Sequence, residues 1–133
     1  MKIGICGTGS IGKRHIKNIS HLVEVNNWYF LRRDGQSDSL SNELNAKIVK
    51  DFDELLAMQI DAVIIANPSN MHARLCIDCL RNNIAVYVEK PIAININELE
   101  QIENEINKRN KLIIGQVGCN MRYLGSLKRM KES

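Results

Sequence analysis

The sequence predicts an α/β fold: a doubly wound parallel sheet of about six strands, with helices on both faces. Three observations carry this. Short apolar runs alternate with helix-period segments along the whole chain, the pattern of strands joined by helical crossovers. The run "DAVIIA" at 61–66 is continuously apolar at its centre, as expected of a strand covered on both faces. The first apolar run ends in a glycine-rich stretch that opens directly into a helical segment.

In order, Lys2 to Cys6 reads as the first strand, and Ile11 to about His21 as a helix with apolar residues at Ile11, Ile16, Ile19 and Leu22. Asn27 to Leu31 is the second strand, followed by the turn "RRDGQSDS". Leu40 to Asn45 is a short helix and Ala46 to Val49 a short third strand. "DFDELLAMQ" opens with acidic capping residues and reads as a helix. Asp61 to Ala66 is the fourth strand, and "NPSN" leads to a helix over 71–81 with Ser69 or Asn70 as its expected N-cap. Ala85 to Glu89 is the fifth strand. Asn95 or Asn97 should cap the next helix, whose apolar face is Ile96, Leu99, Ile102 and Ile106. Leu112 to Val117 is the sixth strand, and a further helix begins near Tyr123.

The 133 residues suit one domain with a real core. A net charge of +3 and an aromatic content of 5% lack the basic stripe and stacking platforms of a nucleic-acid binder. No apolar run approaches the roughly 20 residues that span a bilayer, so no membrane partner is expected. The N-terminus enters a strand without a signal-peptide pattern, and a cytoplasmic location is expected. Four cysteines fit that compartment. Cys6 lies in a strand, and Cys76 and Cys79 form a lone CxxC in a helical stretch with no second pair or His cluster, so they read as buried thiols rather than a metal site.

The chemistry concentrates at strand ends. Gly7, Gly9 and Gly12 form GxGxxG between the first strand and first helix, the context a dinucleotide-binding turn requires. Gly7 permits the turn, Gly9 lets backbone approach a pyrophosphate, and Gly12 lets helix pack on strand. The N–H groups of Ser10 and Ile11 would face phosphate oxygens. The second strand ends in Arg32 and Arg33, where an acid commonly takes the ribose 2′-hydroxyl of NAD. A guanidinium there suits a 2′-phosphate, so NADP is favoured over NAD. The fifth strand ends in Glu89-Lys90-Pro91, an abrupt run of carboxylate, ammonium and imide.

Together "GTGSIGKRH", "NPSNMH" at 67–72 and "EKP" at 89–91 resemble the Gfo/Idh/MocA oxidoreductases, over residue 1 to about 131. The resemblance implies a Rossmann domain that binds NADP or NAD and serves hydride transfer on a sugar, polyol or sugar-nucleotide hydroxyl or carbonyl. It implies that Lys90 points toward the nicotinamide and the substrate hydroxyl, as the catalytic residue of this half. Glu89 would sit by the nicotinamide ribose, and Pro91 would follow a cis bond. Asn67, Pro68 and His72 match the loop that lines the cofactor groove. Asn120 and Arg122 would neighbour nicotinamide or substrate, Arg122 on the substrate side. His15 reads as packing, and His21 carries no signal.

Members of that family are well over twice this length, with a second domain that supplies most of the substrate pocket. Residues 1–120 are therefore expected to be the dinucleotide-binding domain, and 121–133 the start of a connection to a C-terminal substrate domain absent here. Such a chain would be catalytically incomplete, and uncovered interdomain surface would favour a homo-oligomer. The competing reading is a dinucleotide-sensing or regulatory module without catalysis, since fold does not prove chemistry.

Overall fold

The computed structural model describes residues 1–109, 113–119 and 129–130. Six strands form one sheet: β1 (Lys2–Cys6), β2 (Asn27–Leu31), β3 (Lys47–Val49), β4 (Ala62–Ile65), β5 (Ala85–Val88) and β6 (Gly115–Val117). Their order is β3-β2-β1-β4-β5-β6, and every pairing is parallel. The connecting helices are α1 (Ser10–Leu22), α2 (Ser39–Glu43), α3 (Phe52–Ala57), α4 (His72–Arg81) and α5 (Ile96–Asn107). The chain leaves β1 toward β2 on one side and later returns to place β4 on the other. Strand order thus reverses between β1 and β4, which opens a crevice at their carboxyl ends.

The period of two along each strand divides the core. Ile3, Ile5, Trp28, Phe30 and Ile64 pack with Ile16 of α1 on one face. Their neighbours Cys6, Tyr29, Val63 and Ile65 pack on the other, with Leu55 of α3, the buried row of α4 and Ile102 of α5. Both faces are covered, which is why the strands read as continuous apolar runs.

Three expectations are corrected. Neither Ser69 nor Asn70 caps α4. Residues Ser69–Met71 form a 3₁₀ turn, where Met71 N–H donates to the Pro68 carbonyl at 3.0 Å and His72 N–H to that of Ser69. With those donors satisfied by backbone, α4 starts without a side-chain cap. Asn95, by contrast, does cap α5, accepting from Glu98 N–H at 2.9 Å. The expected apolar face of α5 is buried only at Ile102. Ile96, Leu99 and Ile106 stay 64%, 44% and 53% exposed, because α5 packs mainly on α4 and presents one row to it. The strands β5 and β6 are shorter than expected, so Glu89 lies just beyond β5. The region from Tyr123 falls largely outside the described residues.

Candidate functional site: a crevice at the carboxyl ends of the strands

The glycine turn after β1 forms one wall. Gly7 adopts φ +99°, and a Cβ there would stand 2.6 Å from the Ala66 carbonyl and the Asn67 nitrogen. The turn therefore lies against the chain leaving β4, which only a glycine allows. A Cβ on Gly12 would meet the Gly7 carbonyl oxygen at 2.0 Å, so that residue lets α1 start directly on the turn. Gly9 differs: a Cβ there would meet nothing within 4 Å among the described residues, and its backbone is in an extended region open to any residue. Nothing among the described residues requires a glycine at this position. Gly9 caps α1 without a side-chain hydrogen bond, so the first-turn N–H groups of Ser10 and Ile11 have no side-chain capping acceptor.

The second wall follows β4. Asn67 leaves its Oδ1 buried and without a hydrogen-bond partner among the described residues, while its Nδ2 faces Met71 Sδ at 3.5 Å. Pro68 sets the start of the 3₁₀ turn. His72 is 2% exposed, with Nε2 at 2.7 Å from the Asn67 carbonyl and Nδ1 at 2.8 Å from the Pro91 carbonyl. It ties the β4 loop to the β5 loop rather than facing the crevice with a free nitrogen.

After β5, Glu89 N–H donates to the Ile65 carbonyl at 2.9 Å, which keeps the two strand ends together past the last ladder pair. The Glu89 carboxylate is enclosed by three groups. Its Oε1 is 2.6 Å from His15 Nε2 and 3.5 Å from the Tyr87 hydroxyl. A Cβ on Gly118 would come within 3.0 Å of Oε2. His15 lies edge-on to Tyr87, with ring centroids 4.8 Å apart. Burial, with the Glu89 charge beside it, pushes the Tyr87 phenol above its ordinary value. Lys90 follows on an exposed bend, with no hydrogen bond or ion pair among the described residues, and the Lys90–Pro91 peptide is cis.

At the flank, Arg32 is not an unengaged cation. Its Nη2 donates to Asp38 Oδ2 at 2.7 Å and to Thr8 Oγ1 at 3.1 Å, and its Nη1 to the Gln36 carbonyl at 3.0 Å. Asp38 is held at a pKa of about 2, first by the Arg32 hydrogen bond and then by the Ser41 N–H. Arg33 is exposed.

The fold thus gathers Gly7, Gly9, Ser10, Ile11, Gly12, Asn67, Pro68, His72, Glu89 and Lys90 at one end of the sheet, with Arg32 and Arg33 on its β2 side. Asn120 and Arg122 lie outside the described residues. His15, read as packing, does pack on Tyr87, but sequence reasoning did not foresee its bond to Glu89 or that of Asp38 to Arg32. His15 stands three residues after Gly12, one helical turn into α1 and on the side facing β5, a position visible in "GKRH". Asp38 carried no signal beyond that of an ordinary turn residue. The buried CxxC pair packs in the core on α4.

The family model for an oxidoreductase family with an NAD-binding Rossmann fold, Gfo/Idh/MocA, matches residues 1–116. The chain belongs to this family. Among curated members, it is 28% identical over its full length to myo-inositol 2-dehydrogenase of Thermotoga maritima, covering 40% of that protein. It is 32% identical to inositol 2-dehydrogenase of Rubrobacter xylanophilus over 91% of this chain and 35% of that one. Its fold matches the Lactobacillus casei scyllo-inositol dehydrogenase, solved with NAD(H) and scyllo-inositol, at a TM-score of 0.82 and 28% identity, over 99% of this chain and 40% of that one. The chain therefore spans about 40% of the length of such Gfo/Idh/MocA members. No helix among the described residues is long and apolar enough to cross a membrane.

Proposed function

We propose that this chain holds a nicotinamide dinucleotide across the carboxyl ends of β2, β1, β4 and β5, as the cofactor-binding part of an oxidoreductase acting on a polyol or sugar hydroxyl or carbonyl. Gly9 carries the reading. Its missing side chain serves no packing contact among the described residues, which leaves the space above it open to a ligand. The unpaired Asn67 Oδ1 and the uncapped N–H groups of Ser10 and Ile11 supply an acceptor and two donors on the two walls of that space.

In this reading the glycine turn and the start of α1 bind the pyrophosphate, and Glu89, fixed by His15, receives the hydroxyls of the nicotinamide ribose. A bound nicotinamide would supply the hydride donor or acceptor. Lys90, compact and triply donating, would stabilise negative charge on the substrate oxygen. Its exposure without a partner among the described residues favours this over a purely sensing module. Arg32 and Arg33 support a 2′-phosphate by charge, whereas Asp38 opposes one. The inositol substrates of the relatives make a cyclic polyol the first substrate to try with a longer chain.

Calorimetry with NADH and with NADPH tests the cofactor assignment. At least one should bind, and Gly9→Val should abolish the heat without changing the circular-dichroism spectrum. Equal heats from variant and wild type would refute it.

A further inference from the structure

We propose that Asp38 is a specificity-determining residue that makes this domain prefer NAD over NADP, by committing Arg32 to an ion pair inside the protein. The inference rests on the dinucleotide reading above and deepens it.

In that reading the adenosine ribose lies at the carboxyl end of β2, where Arg32 is the first residue past the strand. The guanidinium there is already engaged. It is 13% exposed, bonded to Asp38, Thr8 and the Gln36 carbonyl, and stacked over the Phe30 ring at 5.5 Å from its centroid. The cleft at this point is lined by Arg32, Arg33, Asp34 and Asp38, so two cations face two anions and their formal charges cancel. A 2′-phosphate, with close to two negative charges, gains no net attraction there.

Asp38 also cannot swing aside at little cost. Its Oδ1 accepts from Ser41 N–H at 2.9 Å, and its own N–H donates to Ser41 Oγ at 2.7 Å, a reciprocal cap on α2. Ser41 is 1% exposed, so the cap is anchored in the fold. A phosphate reaching Arg32 must share it with this fixed carboxylate, and two anions on one guanidinium repel. The neutral 2′-hydroxyl of NAD meets no such repulsion. The arginine that in sequence argues for NADP is thereby offset by a residue six positions later.

The test is calorimetry of the 133-residue chain with NADH and NADPH at low ionic strength. The variants are Asp38→Asn, which keeps a good N-cap while removing the charge, and Asp38→Asn combined with Arg32→Gln. Wild type should bind NADH more tightly. In Asp38→Asn the ratio of NADPH to NADH affinity should rise about tenfold or more, and the double variant should lose that gain. Asp38→Ser, another capping residue, replaces Asn if that variant fails to fold. A wild type that prefers NADPH, or an unchanged ratio in a folded Asp38 variant, overturns the proposal. Wild type binding neither nucleotide would instead overturn the dinucleotide reading, and this inference with it.

Discussion

Gly9 and Gly12 belong to one motif but do different work, and alanine at each separates folding from binding. At Gly9 the new Cβ meets no atom of the described residues within 4 Å, and the backbone is in an extended region. Two small terms act on stability. Alanine is a poorer N-cap than glycine by about 0.5–1 kcal/mol. It also restricts the unfolded chain, which returns about 0.4–1 kcal/mol. The net is within about 0.5 kcal/mol, or roughly 2 °C in melting temperature for a domain of this size. In the proposed complex, however, the methyl occupies the approach of the pyrophosphate, and NADH affinity should fall about tenfold or more, equivalent to roughly 1.4 kcal/mol. At Gly12 the added Cβ stands 2.0 Å from the Gly7 carbonyl oxygen, a backbone atom that can move only if α1 lifts off the turn. Gly12→Ala should therefore cost on the order of 3 kcal/mol, the upper range for overpacking. Thermal melts by circular dichroism and calorimetry with NADH read both effects. A Gly9→Ala protein that melts more than about 10 °C low, or that binds NADH as well as wild type, would refute the reasoning.

Further outcomes follow from the same geometry. His15→Ala should weaken NADH binding about tenfold or more while leaving ADP, which lacks the nicotinamide ribose, unaffected, because a freed Glu89 carboxylate loses its fixed direction at a cost of about one charged hydrogen bond; equal losses for the two ligands would mark His15 as structural only. The carboxyl of Asp38 lies below its ordinary 3.8, at about 2, so its bond to Arg32 stabilises the fold fully above about pH 4 and is lost as pH falls toward 2. Urea midpoints from pH 5 to pH 2 should consequently drop less steeply in Asp38→Asn than in wild type. Burial pushes the Cys6 thiol up to about 12 and Cys76 to about 11, and Cys79 is raised further by burial and its neighbours. At pH 8 a disulfide reagent should therefore titrate Cys119 at once, and the other three only as the protein unfolds.

Much of this molecule could be read along the chain, because the signals involved are local or periodic. Apolar runs of strand length, the helical spacing of Ile16 and Ile19, the cap at Asn95 and the glycine turn each depend on near neighbours. Their alternation confines the topology to a parallel sheet with ligand chemistry at its carboxyl edge. The strand-end motifs from Gly7 to Lys90 therefore lie at one end of that sheet. What the chain order could not express is pairing across it. Glu89 is held by His15 from 74 residues earlier, and α5 leaves most of its apolar face open because its partner is a helix rather than the sheet. Arg32 looked like an available phosphate ligand until the fold of the following turn placed Asp38 on it. Local sequence determines which groups exist and which strand end carries them; only the tertiary structure decides which charges are already neutralised, since electrostatic partnership depends on distance in space.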